Sequence, residues 1–160
     1  HSIIYRGVPL ADELLKVVDV DAYISYAEGF NPYTVLQCTL EDGRLFNLYL
    51  VPIEIVLAMN KIKGHGVENN RETLFELLTI FSELEILRDR IEKVVVDEVS
   101  EETHLYTAKI YIKGSGFTFV KRMIPSHAIF LAYLIGSPIY VSKELVDRQE
   151  ADEKEESRGR

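Results

Sequence analysis

The side chains of this chain that could carry acid–base or metal chemistry are few and scattered. His65 lies between two glycines, His104 follows a run of acids, and His127 stands at the start of an apolar segment. No two of them share a ligand spacing, and the one cysteine, Cys38, sits in an apolar run, so neither a structural or catalytic zinc site nor a disulfide is expected. Glu68, Glu72 and Glu76 recur at every fourth position and would line one face of a helix. Such a face has two readings: a carboxylate cluster holding Mg2+ for phosphodiester hydrolysis, or a solvated surface whose acids complement the positive helix start. Their place opposite an apolar stripe of Leu74, Leu77, Leu78, Phe81 and Leu84 favours the second. His127 is either a general base whose pKa the helix start lowers or a first-turn residue beside a Ser126 cap; the cap reading is favoured. The chain has no Gly-x-Ser-x-Gly elbow, no Walker loop and no dinucleotide fingerprint.

A second pattern lies between residues 105 and 123. Two strand-like runs, Leu105–Lys113 and Phe117–Met123, flank Gly114-Ser115-Gly116. With a three-residue loop, Lys113 faces Phe117, Tyr111 faces Phe119 and Lys109 faces Lys121, next to Arg122. Ile112, Ile110, Ala108 and Val120 then take the other, core-facing side. The first set makes a basic, aromatic platform suited to stacking bases and contacting phosphates. The alternative is an apolar face covered by a helix or a partner subunit.

These groups need a scaffold. A turn or helical segment is expected at about residues 10–15. Val18, Val20, Ala22, Ile24 and Tyr26 then alternate with polar residues as one face of a half-buried strand. Tyr33–Leu40 and Arg44–Val51 form a hairpin about Asp42-Gly43, with Glu41 opposite Arg44. Pro52 opens a helix over 53–62, Gly64-His65-Gly66 closes it, and a second helix is expected from about 71 to 84. Ile91–Val99 is a strand whose three consecutive valines predict burial on both faces. A third helix runs from Ser126 to the stop at Gly136 with Pro138 beyond; Ile139–Val141 is extended, and Ser142 caps a last helix fraying into a charged tail. The expected fold is α+β, an antiparallel or mixed sheet built from hairpins and covered by three to four helices. The third helix is apolar nearly all round, which places it centrally or at a subunit contact and makes a homodimer the expected state.

Apolar residues are 47% and charged residues 28% of the 160, ordinary for one globular domain. No run approaches the ~20 apolar residues of a membrane helix and the start lacks a signal pattern, so no membrane partner and a cytoplasmic location are expected. The net charge of −8 opposes indiscriminate phosphate binding, so any nucleic-acid site must be a local basic patch.

The stretch Ile124-Pro-Ser-His-Ala, an apolar helix, Gly136-Ser-Pro-Ile-Tyr-Val and then Ser-Lys-Glu resembles the bifunctional nuclease domain family. The usual text of that family here is Arg-Pro-Ser-Asp-Ala, an apolar helix, Gly-x-Pro-Ile-Tyr-Val and an acidic helix start. Pro125, Ser126, Ala128, Gly136, Pro138, Ile139, Tyr140 and Val141 match it, and the upstream hairpin and Pro52-Ile53-Glu54 fall in the same order. Ile124 and His127 replace the family's arginine and aspartate, and Leu74-Phe75-Glu76 aligns with its Thr-His-Asp, keeping only the acid. The resemblance covers residues 17–147, between an N-terminal extension (1–16) and a charged, flexible tail (148–160). It implies metal-dependent, low-specificity cleavage of DNA and RNA, with Mg2+ or Mn2+ as cofactor. Glu76 and His127 are then the surviving catalytic candidates. Lys109, Tyr111, Lys113, Phe119, Lys121 and Arg122 are the nucleic-acid candidates, and Pro125, Ser126, Gly136 and Pro138 are motif residues. Two other readings stand beside it: a non-catalytic module binding a protein, nucleic acid or small ligand, and a structural homo-oligomer.

Overall fold

The computed structural model describes residues 13–29, 31–66 and 70–159. Seven strands form one mixed sheet: β1 (Leu14–Ser25), β2 (Tyr33–Leu40), β3 (Leu45–Tyr49), β4 (Ile91–Val99), β5 (Tyr106–Lys113), β6 (Thr118–Met123) and β7 (Ile139–Ser142), in the order β3-β2-β1-β7-β4-β5-β6. The helices are α1 (Ile53–Ile62), α2 (Leu74–Leu78), α3 (Pro125–Ile135) and α4 (Lys143–Arg158), with a 3-10 helix over Ser82–Asp89. The α+β expectation therefore holds. β4 and β7 run parallel, and the other neighbours in the sheet run antiparallel.

The first strand starts earlier than its alternation suggested. Leu14 and Leu15 already pair with β7, where a turn or helical segment was expected; the rest of that segment lies outside the described residues. A bulge between Val17 and Asp19 then slips the alternation by one. Leu15 and Val17 point inward before it, Val20 and Ala22 after it, and Val18, expected on the inner face, is 60% exposed. Bulges bend a strand and increase its twist. Only Leu14–Lys16 pair with β7, whereas Val17 onward pairs with β2, so β1 hands the sheet from one half to the other.

That bend closes the molecule. In a flat sheet β3 and β5 would stand five strand spacings apart, about 24 Å. Instead the Phe46 ring of β3 meets the Tyr106 ring of β5 edge-on, with centroids 5.1 Å apart. The sheet curls around one apolar cluster joining Phe46, Leu36 and Val20 to Ile55 and Met59 of α1, Ile129 and Phe130 of α3, and Leu145 and Val146 of α4. Val94, Val95 and Val96 are all buried, as three consecutive valines in an inner strand require.

α3 begins with Pro125 at its first position and ends at Gly136 with φ 80°, a left-handed residue that glycine adopts without steric cost. A Cβ there would also lie 2.6 Å from the Arg88 guanidinium, whose Nε donates to the Ile135 carbonyl at 2.7 Å. The helix expected over 71–84 is much shorter. The Thr79 hydroxyl and N–H both take the Glu76 carbonyl, the ladder stops at Leu78, and a 3-10 helix follows. Leu74, Leu77 and Phe81 of the expected inward stripe are exposed. Arg44 does not pair with Glu41. It bonds Asp42 beside it and Asp147 and Glu150 of α4, while Glu41 accepts from the Lys16 N–H. α4 continues to Arg158, through the segment expected as a flexible tail, and Gln149 and Glu153 bond β3.

Candidate functional site

The register of the β5–β6 hairpin decides which side chains share a face. Its loop holds four residues, Gly114–Phe117, closed by the Gly114 N–H donating to the Phe117 carbonyl at 2.7 Å. Lys113 therefore sits across from Thr118, Ile112 from Phe119, Tyr111 from Val120, Ile110 from Lys121, and Lys109 from Arg122. One residue more in the loop moves β6 to the opposite facing. The expected platform is divided: Lys109, Tyr111, Lys113 and Arg122 share one face with Val120, whereas Phe119 and Lys121 lie on the other with Ile112 and Ile110.

The basic face is matched by acids of β4. Lys109 Nζ lies 3.1 Å from both Asp97 and Glu98, Arg122 bonds Glu98 at 2.8 Å, and the Lys93 ammonium stands 4.8 Å over the Tyr111 ring. Burial works against the Lys109 charge, but the bonds to Glu98 and Asp97 outweigh it and hold its pKa above the usual value.

Glu76 and His127 lie on two elements that touch. Glu76 is buried at the third position of α2, in a capping box: its N–H donates to Thr73 Oγ1, and its Oε1 accepts from the Thr73 N–H, both at 3.2 Å. It is not on a solvated face. Glu72 pairs with Lys61, and Glu68 lies outside the described residues. Among the described residues no group of three or more His, Cys, Asp or Glu could hold a metal ion. His127 packs its ring edge-on against Phe75 at 5.2 Å, and Phe75 packs against Phe130 at 5.4 Å. The two segments that depart from the family text, Leu74-Phe75-Glu76 and His127, thus meet in space through an aromatic pair. Ser126 stands inside the helix; the cap position belongs to Ile124, which makes no side-chain capping bond.

Beside the start of α3 lies a groove of about 740 Å³. Its walls are Leu48–Pro52 at the end of β3, His104–Thr107 at the start of β5, and Arg122–Ser126 where β6 passes into α3. The last two walls adjoin in the β5–β6 hairpin, and the curl that brings Phe46 to Tyr106 brings the first wall to them. Leu50, Leu105 and Ile124 are 78%, 68% and 60% exposed at the groove, and among the described residues its lining holds no Asp or Glu. Leu50 and His104 have φ of 57° and 59°, a region in which leucine is strained. Backbone bonds hold both in place: the Leu50 N–H to the Thr34 carbonyl at 2.9 Å, and the His104 N–H to the Ser100 carbonyl at 2.8 Å. Burial, with Glu153 beside it, pushes the Tyr49 hydroxyl up to about 12. Sequence reasoning missed Leu50, Leu105 and the place of His104 in the lining, because the signal is a meeting of the β3 end with the distant β5–β6 hairpin. Ile124, marked only as a departure from the family text, turns out to be part of a wall.

A smaller cleft of about 260 Å³ lies where β1 leaves β7, lined by Lys16–Val20 and by the motif residues Gly136–Ile139. At the edge of it Lys63 lies 2.6 Å from Asp19 and 3.4 Å from Asp21, with its ammonium 5.3 Å over the Tyr133 ring.

Residues 50–154, well over half of the chain, match the family described as the bifunctional nuclease domain. The chain belongs to that family. The match takes in two walls of the groove complete and the third from Leu50 onward; β1, β2 and β3 lie outside it. No curated protein matches the chain.

Proposed function

We propose that this chain is a divergent nuclease-family protein that works on DNA or RNA, taking the strand in the groove beside α3. One observation carries the reading. In a chain of net charge −8, the described lining of the groove includes the exposed Arg122 and no Asp or Glu, the nearby Glu98 and Glu153 being bonded to Arg122 and to the Tyr49 hydroxyl. The Arg122 guanidinium gives an anionic backbone a point of contact there.

Membership suggests metal-dependent phosphodiester hydrolysis of low specificity, with Mg2+ or Mn2+. Among the described residues no side-chain group forms a metal centre: the Glu76 carboxylate is engaged at Thr73, and His127 stands against Phe75. No metal step is derived from them. Arg122 and the groove walls hold the strand, and Glu76 and His127 are the candidate hydrolytic groups by their position in the family text. A second reading, binding without hydrolysis, is favoured by the Phe75–His127 contact at the place where the family text puts histidine and aspartate. The exposed Leu74, Ile80 and Ile86 support a homodimer, and the free buried thiol of Cys38 supports a cytoplasmic protein. No helix of the described residues is long and apolar enough to cross a membrane.

The test is cleavage of labelled single-stranded and duplex DNA and RNA with Mg2+, with Mn2+ and with EDTA. A Glu76→Gln/His127→Ala variant, which keeps the capping box, runs beside the wild type. Metal-dependent cleavage that the variant lacks is the expected result. Cleavage that the variant keeps moves the hydrolytic groups elsewhere, and binding without cleavage establishes the second reading.

A further inference from the structure

We infer that the groove selects unpaired nucleobases, so that single strands and open strand ends, and not closed duplex, are the ligands of this chain. The inference rests on the nucleic-acid reading above and narrows it. Among the described residues the two non-glycine residues with positive φ, Leu50 and His104, both line this groove, on different walls. Strain of this kind persists only where surrounding bonds impose it, and it gathers at binding sites. The consequence here is that Leu50 presents its side chain to solvent beside two other exposed aliphatics, Leu105 and Ile124, and the half-exposed Tyr49. The isolated chain gains nothing from that exposure; a flat ligand with apolar faces would cover it.

A nucleobase has such faces, and stacking on them tolerates any sequence. Its phosphate would meet Arg122, which is exposed and gives one nitrogen to Glu98, leaving the remaining donors of the guanidinium available. The volume of about 740 Å³ falls in the range of about 300–1,000 Å³ typical of small-molecule pockets. That is room enough for a nucleotide. A duplex hides its base faces in the stack and offers only backbone, which an apolar wall does not reward.

The experiment is competition binding of the 160-residue chain in EDTA, so that nothing is cleaved. A labelled oligo(dT) strand is displaced either by a single-stranded DNA circle or by a relaxed, covalently closed duplex circle, at equal nucleotide concentration. The single-stranded circle should compete about tenfold better or more, the gain expected for stacking one base. Leu105→Asn and Ile124→Asn, uncharged changes at exposed positions, should each lose about tenfold in single-strand affinity, whereas Tyr26→Ser, an exposed aromatic outside the groove, should lose none. Urea unfolding of each variant confirms that the fold is kept. Equal competition by the two circles, or full affinity in both groove variants, overturns the base-selective inference while the nucleic-acid reading stands. No binding of any strand sinks both.

Discussion

The side-chain amide of Gln149 bonds both backbone groups of Asn47: Oε1 accepts from its N–H and Nε2 donates to its carbonyl, each at 2.8 Å. A side chain of α4 thereby takes the place of a neighbouring strand at the β3 edge, and the edge offers less to another chain. Gln149→Leu leaves the Asn47 pair without partners and should lower stability by about 1–3 kcal/mol in urea unfolding. A wild-type midpoint would mean that water serves Asn47 as well as Gln149 does.

Glu76 can be divided into its structural and chemical parts. A glutamine still accepts from the Thr73 N–H, so Glu76→Gln should keep nearly all the stability, whereas Glu76→Ala should cost about 1 kcal/mol. Thermal melts of the two variants decide it, and equal melting temperatures would show that the capping box contributes little.

Arg44 contributes to the stability of the fold in acid. Its bonds hold Asp147, Glu150 and Asp42 below their ordinary pKa values. The unfolded chain therefore takes up these protons first. The stability they contribute is complete above the unfolded values, 3.8 for Asp and 4.5 for Glu, and is lost as pH falls through the lower folded values. Stability measured against pH should fall on that acid limb less steeply in Arg44→Met than in wild type, with parallel curves near neutrality. Identical acid limbs would remove Arg44 as the cause.

The hairpin register makes a prediction about pairs. Tyr111 and Phe119 lie on opposite faces, so a double-mutant cycle between them should be additive within about 0.3–0.5 kcal/mol. Lys93 and Tyr111, in contact, should couple by about 0.5–1 kcal/mol. Strong coupling of Tyr111 to Phe119 would restore the undivided platform.

Cys38 is wholly buried, and burial pushes its thiol up to about 12. Thiol reagents should label the native chain only through unfolding, so the labelling rate should rise with urea in step with loss of structure. Fast labelling in buffer alone would contradict the buried assignment.

Much of the fold was legible in short stretches of residues. Asp42-Gly43, the Gly136 stop with Pro138 beyond, the Pro52 helix start and the three valines of β4 each act through φ or through side-chain period within a few positions, so they read correctly without any partner in view. What failed to read was set by distance. The bulge at Val18 follows from β1 changing neighbours, and the short α2 follows from Thr79 taking the Glu76 carbonyl while Phe75 packs under α3. One extra loop residue, Phe117, redistributed the whole platform. The groove is the extreme case: two of its walls are the adjoining ends of the β5–β6 hairpin, but the third, Leu48–Pro52, comes from far along the chain, and none of them alone carries a binding pattern. Only the curl that sets Phe46 against Tyr106 brings that third wall to the hairpin, because packing both halves of the sheet on a single core buries more apolar area than leaving them flat.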